Sequence, residues 1–180
     1  MTANDLKATL KHQLLDSGAV MTGQFTLRSG KTSNFYVNIK KASTNPHILH
    51  TIAKAMAQLV KDEKRIAGMA LGAVPLATAV ALETMIPFVM IRKAEKGYGA
   101  SKLIEGELAA GEEVLLIEDV ATTGGSMIHA VEQLRAVGAV VKRALVVVDR
   151  EEGAASLMGE AGVELVPLLR ISEVLKNSEN

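Results

Sequence analysis

Two acids stand side by side in this chain, Glu118 and Asp119, preceded by the aliphatic run E-V-L-L-I and followed at once by V-A-T-T-G-G-S. The loop carries no charge of its own. Backbone N–H groups around Gly124 and Gly125, the hydroxyls of Thr122, Thr123 and Ser126, and the positive end of a following helix together make a cradle for an anion, phosphate above all. Carboxylates beside such a cradle would repel a phosphate. They make chemical sense if they hold ribose hydroxyls, or a Mg²⁺ ion that bridges to phosphate oxygens. The plainer alternative is that each acid ends a strand or caps a helix, but two adjacent acids followed by T-T-G-G-S favour a ligand. The segment is neither a P-loop, because GxxxxGK[ST] is absent, nor a dinucleotide fingerprint, because GxGxxG is absent.

Two further groups of residues could do chemistry. Arg92, Lys93 and Lys96 place three cations within five residues, followed by Gly97 and Gly99. Such a run is either a solvated loop or a lid that closes over a diphosphate, where its charges act at lower dielectric. Asp149-Arg150 ends the run V-V-K-R-A-L-V-V-V, so that Arg150 either pairs fork to fork with a ligand carboxylate or joins a surface salt bridge. The four histidines, His12, His47, His50 and His129, fall on helical patterns without ligand spacing and read as structural.

These residues need a frame. Asn4 to Asp16 has the spacing of a helix, with Leu6, Leu10 and Leu14 on one side. Phe25 and Leu27, then Phe35, Val37 and Ile39, bracket a polar turn and predict two short strands. Asn45 followed by Pro46 is an N-cap with proline at the first helical position, opening the pattern Ile48, Ile52, Met56, Leu59 and Val60. Thereafter strands at 65–72, 87–93, 113–119, 140–150 and 163–170 alternate with helices at 75–85, 126–139 and 151–162, closing on a turn or two at 171–177. Strands apolar at nearly every position, separated by helices, predict a parallel sheet covered on both faces. The hairpin does not fit the alternation and is expected to cap an edge of the sheet. In such sheets ligands bind beyond the carboxyl ends of the strands, which is where the T-T-G-G-S loop falls.

The bulk properties agree with one α/β domain. The chain has 180 residues, 48% hydrophobic and 3% aromatic, with twenty basic residues balancing twenty acidic ones. A formal charge of zero argues against a nucleic-acid coat or a membrane-surface protein. The absence of cysteine rules out disulfides and thiolate metal sites and predicts a reducing, cytoplasmic setting. The charged N-terminal stretch is unlike a signal peptide, and no apolar run approaches membrane-spanning length.

V-L-L-I-E-D-V-A-T-T-G-G-S resembles the thirteen-residue motif of the type I phosphoribosyltransferases, which bind 5-phosphoribosyl 1-diphosphate (PRPP). The resemblance implies that family's fold: a central, mostly parallel sheet flanked by helices, as a single domain over 1–180 with about residues 1–40 forming a small N-terminal hood. It assigns Glu118 and Asp119 to the ribose hydroxyls and Val120, Ala121, Thr122, Thr123, Gly124, Gly125 and Ser126 to the 5′-phosphate side. Three other segments resemble the orotate-specific members. I-R-K-A-E-K-G-Y-G is similar to their mobile catalytic loop, so that Arg92, Lys93, Lys96 and Tyr98 would reach PRPP, from the neighbouring subunit of a homodimer. F-T-L-R-S-G-K-T-S-N-F-Y is similar to their N-terminal motif and brings Arg28, Phe35 and Tyr36 toward orotate, with core packing an equal reading of Phe35. V-V-V-D-R-E-E-G assigns Arg150, with Thr122, to the orotate carboxylate.

Two positions depart from the pattern. Tyr98 stands where many members have histidine, and L-G-A-V-P-L-A lacks the lysine that many bacterial members carry near the diphosphate. Diphosphate binding would then rely on the amides of Gly72 and Ala73 and on the cationic lid. The activity implied is Mg²⁺-dependent transfer of the phosphoribosyl group from PRPP to orotate, in pyrimidine biosynthesis, with Lys96 and Asp119 as the catalytic residues and Mg²⁺ held mainly through PRPP itself. The alternatives are transfer to another base, or a non-catalytic regulator sensing PRPP or nucleotides on the same fold.

Overall fold

A computed structural model describes residues 2–26, 32–93 and 103–176. Among these, a sheet of six strands in the order β5-β4-β3-β6-β7-β8 forms the centre of the molecule. Its strands are β3 (Arg65–Met69), β4 (Phe88–Ile91), β5 (Ile104–Glu105), β6 (Glu113–Ala121), β7 (Val140–Asp149) and β8 (Glu164–Arg170). All neighbours are parallel except β5, which pairs antiparallel with β4 through Met90–Glu105 and Ile91–Ile104.

The alternation of side chains along each strand sorts the core into two layers. Leu115 and Ile117 of β6 and Leu145 and Val147 of β7 face one side. There they meet α1 (Ala3–Asp16), α3 (Pro46–Ala57) and α4 (Val74–Thr84) through Leu10, Leu14, Ile52, Met56, Leu76 and Val80. Val114 and Leu116, with Val146, face the opposite side and meet α5 (Gly125–Ala136) and α6 (Ala154–Glu160) through Met127, Val131, Leu134 and Met158. This double covering explains why the strands read as unbroken apolar runs. A closing helix, α7 (Ile171–Leu175), adds Ile171 and Val174 to the first layer.

Helix starts follow local chemistry. Thr2 caps α1, accepting from Asp5 N while the Asp5 carboxylate accepts from Thr2 N at 2.8 Å. Asn45 caps α3 as its spacing predicts, accepting from His47 N at 3.0 Å, with Pro46 at the first position. Among the described residues no helix is long and apolar enough to cross a membrane.

The N-terminal strands β1 (Val20–Thr26) and β2 (Thr32–Val37) pair antiparallel in a sheet of their own. The second strand stops earlier than the hydrophobic pattern predicts. Ile39 opens a short helix, α2 (Ile39–Ser43), because Asn38 turns the chain and its side chain accepts from Lys41 N at 3.3 Å. Ile39 is buried under that helix rather than continuing a strand.

Candidate functional site

The acid pair lies inside β6, not at its end, because the strand continues through Val120 to Ala121. Both residues are 7% exposed. The Glu118 carboxylate accepts from Asp119 N at 2.9 Å, and Asp119 Oδ1 accepts from Val120 N at 2.9 Å. The backbone thereby fixes one oxygen of each acid, and Lys40 Nζ donates to the other oxygen of Asp119, Oδ2, at 2.7 Å. Burial, then the negative charge of Asp119, then a side-chain hydrogen bond to Asp119, push the Glu118 carboxyl up to about 8; Lys40 partly offsets this. Burial and the neighbouring charge thus favour the protonated form of Glu118.

Beyond the strand, Thr122 to Gly124 form an open bend leading into α5. Gly124 has φ +90°, and a side chain there would meet Ala154 Cα at 3.2 Å and Leu157 Cδ2 at 3.3 Å. Glycine is thus required both by the left-handed backbone and by the close approach of α6. The bend is tied to the loop after β7: Arg150 N donates to Ala121 O at 2.9 Å and Ala154 N to Thr122 O at 3.2 Å. Thr123, Gly125 and Ser126 are exposed, as a phosphate cradle requires.

The turn after β3 approaches from the other side. A side chain on Gly72 would collide with the Asp119 carboxylate and meet Lys40 Cε at 3.0 Å. Gly72, Leu71, Lys40, Lys93, Glu118, Asp119 and Ser126 border one cavity of about 90 Å³. Ala73 does not offer the free amide expected of it, since its N–H is donated to Met69 O at 3.2 Å and its side chain is buried. The Ala70–Leu71 peptide bond is cis.

A second, wider cavity opens between the hairpin and the loop after β7, lined by Thr32, Ser33, Asn34, Phe35, Thr123, Arg150 and Glu152. Arg150 Cζ lies 4.9 Å from the centroid of the Phe35 ring, a cation–π contact. Arg150 Nη2 pairs with Glu152 at 2.7 Å, while its buried Nε has no hydrogen-bond partner in the protein. Asp149, buried at the end of β7, accepts from Glu151 N at 2.9 Å and shapes the turn that presents Arg150. The hairpin thus covers the carboxyl end of the sheet.

Strand alternation separates the two aromatic residues expected to act together. Phe35 turns toward the core and Arg150, whereas Tyr36 is 39% exposed and stacks at a tilt on Phe25, centroids 5.7 Å apart. Thr122 lies at the root of the bend, and it is Thr123 that lines the cavity with Arg150. Arg92 pairs with Glu105 at 3.5 Å across the antiparallel β4–β5 pair, and its N–H donates to Leu103 O at 2.8 Å. Arg28, Lys96 and Tyr98 lie outside the described residues. The residue that sequence reading missed is Lys40, which contacts Asp119 from 79 positions away.

As for a metal ion, no group of three or more His, Cys, Asp or Glu side chains stands together among the described residues. The acid pair alone supplies two carboxylates. That donor set fits Mg²⁺, which keeps several waters and takes one or two carboxylates together with substrate oxygens. Of the histidines, His50 lies 3.8 Å from Glu83 on the outer surface of α3 and α4.

The model of the phosphoribosyl transferase domain family matches residues 39–160. Orotate phosphoribosyltransferase of Methanothermobacter thermautotrophicus is 48% identical over 169 residues, which cover 94% of each chain. The crystal structure of orotate phosphoribosyltransferase from Aeropyrum pernix matches with a TM-score of 0.83 and 32% identity, covering 93% of this chain and 96% of its own. That of the Mycobacterium tuberculosis orotate phosphoribosyltransferase in complex with PRPP matches with a TM-score of 0.79 and 29% identity, covering 94% and 98%.

Proposed function

We propose that this chain, which belongs to the phosphoribosyltransferase family, transfers the 5-phosphoribosyl group of PRPP to orotate, giving orotidine 5′-monophosphate and diphosphate. The observation that carries the choice of base is Arg150. Its guanidinium is held against the Phe35 ring at 4.9 Å, and the residue lines a cavity that also reaches Thr123 of the bend. A planar ring bearing a carboxylate suits that cavity: the carboxylate meets the guanidinium and the ring lies along Phe35. Uracil, which lacks the carboxylate, would leave Arg150 with Glu152 alone and forgo that contact.

In this reading Glu118 and Asp119 hold the two ribose hydroxyls, and the bend from Thr122 to Ser126 holds the 5′-phosphate at the start of α5. The ring nitrogen of orotate forms its bond to the anomeric carbon as the bond from that carbon to diphosphate oxygen breaks, and the nitrogen's proton passes to the departing diphosphate. The sugar passes through a state with oxocarbenium character, which the neighbouring carboxylates favour. Mg²⁺ bound with PRPP would neutralise charge on the diphosphate. The lid cations Arg92, Lys93 and Lys96 would cover the leaving group and exclude water, with Lys96 and Tyr98 brought by a neighbouring subunit.

A homodimer is part of the same proposal. Its support is apolar side chains left in water: Leu71 at the acid cavity is 76% exposed, and Leu82 and Met85, toward the far end of α4, are 72% and 84% exposed. The cysteine-free composition supports a cytoplasmic setting.

The test is an ultraviolet assay of orotate consumption with PRPP and Mg²⁺, run beside uracil, adenine and hypoxanthine. Turnover confined to orotate is the expected result. Preference for another base would refute the assignment of Arg150, and binding of PRPP without turnover of any base would favour a sensing role.

A further inference from the structure

The turn from Ala70 to Ala73 borders the acid cavity but brings no positive charge to it. Its backbone is also partly committed, since Ala70 N donates to Ile91 O at 2.7 Å and Ala73 N to Met69 O at 3.2 Å. A diphosphate leaving the anomeric carbon beside this turn would find fewer donors there than the sequence suggests.

A cation does reach the turn from elsewhere. Lys40 stands on α2, directly behind the hairpin, and its stem crosses Gly72, with Cε 3.0 Å from where a side chain at that position would begin. Its Nζ lies 2.7 Å from Asp119 Oδ2, yet its side chain remains 60% exposed. An ammonium has three N–H donors. Asp119 takes one, and the others face the cavity that Lys40 shares with Lys93, Gly72 and Ser126.

We propose that Lys40 is a diphosphate-binding residue, standing in for the cation that the turn after β3 lacks. In this structure it rests on Asp119. With PRPP bound it turns its remaining donors to the diphosphate, and Asp119 is released to the ribose hydroxyls. The side chain can make this exchange because its four-carbon stem is flexible and its head is solvated. Gly72 is the companion requirement, since any side chain there would occupy the path of the stem. The proposal deepens the transfer reading and rests on it for the placement of PRPP.

Calorimetric titration of the wild-type chain and of Lys40→Ala with Mg²⁺ and inorganic diphosphate, and separately with ribose 5-phosphate, tests it. Losing a charged hydrogen bond weakens diphosphate about 10-fold or more. Ribose 5-phosphate, which lacks the diphosphate, moves less than about 3-fold on the same scale. Lys40→Arg, which keeps the charge, restores most of the diphosphate affinity. Lys40→Gln reads the same contrast if the alanine variant does not fold. Equal weakening of both ligands would mean that Lys40 only holds Asp119 in place, and unchanged diphosphate affinity would remove Lys40 from the site; either result overturns the proposal. No base enters these titrations, so a wild-type chain that binds diphosphate but fails to use orotate would sink the choice of base and leave Lys40 standing.

Discussion

At the scale of single residues, the acid pair is asymmetric. Glu118 and Asp119 are equally buried, but only Asp119 has a cation on it, and Glu118 is pushed up to about 8. Between the ordinary carboxylate range and pH 8 the folded chain therefore holds a proton that the unfolded chain has lost, and stability must fall as pH rises through that window. Replacing Glu118 by Gln removes this dependence. The variant should gain on the wild type by about 5 °C in melting midpoint between pH 5 and pH 8, measured by scanning calorimetry. A constant difference across that range would show that Glu118 is ionised throughout it. The same asymmetry predicts proton release on ligand binding, because ribose hydroxyls and Mg²⁺ favour the ionised form. Arg150 gives a second prediction. Its planar fork, not its charge alone, is what a carboxylate recognises, so Arg150→Lys should raise KM for orotate about 10-fold to 100-fold while KM for PRPP changes little. Steady-state kinetics with each substrate varied in turn checks this, and equal changes in both constants would place Arg150 outside the base pocket.

At the scale of elements, the site is assembled where three loops converge on the end of β6, and glycine makes the convergence possible. Gly72 lets the turn after β3 touch the Asp119 carboxylate. Gly72→Ala should displace that carboxylate and lower kcat/KM by about 100-fold. A large loss of stability with retained activity would contradict the arrangement. Much of this level was legible in the sequence. The alternation of apolar strands and helices predicted the covered parallel sheet, and T-T-G-G-S after the aliphatic run marked the bend, because both signals are local. Other features were not legible. Ile39 carries the apolar character of a strand residue, yet Asn38 diverts the chain into α2. The sequence I-K-K-A-S contains nothing that marks Lys40 from Lys41; only the packing of α2 beside β6 brings one of them to Asp119. The pairing of Phe35 with Tyr36 failed for a related reason, since adjacent residues of a strand point to opposite faces.

At the scale of the whole molecule, the described residues bring together the parts of the candidate site: acid pair, the bend after β6, Lys40, and the Phe35–Arg150 cavity under the hairpin. The lid cations belong to a segment whose ends meet in the antiparallel β4–β5 pair. That pair lies at the opposite edge of the sheet from β7, which carries Arg150. The proposed homodimer has the far part of that lid serve a neighbouring copy, while Lys93 at its root borders the acid cavity of its own chain. Subunit mixing separates service to a neighbour from service to the same chain. Lys96→Ala leaves the acid pair intact and disables the lid; Asp119→Asn does the reverse. Each variant alone should be nearly inactive. If the lid acts on its neighbour, a hybrid dimer has one site with an intact acid pair covered by an intact lid and one site defective in both. Equal mixing with free exchange makes about half the dimers hybrid, so about a quarter of the wild-type turnover should return, as follows from twofold symmetry. If each lid serves its own chain, every site in the mixture keeps one defect and no activity returns. Recovery should follow the rate of subunit exchange and vanish when exchange is blocked by cross-linking the variants before mixing.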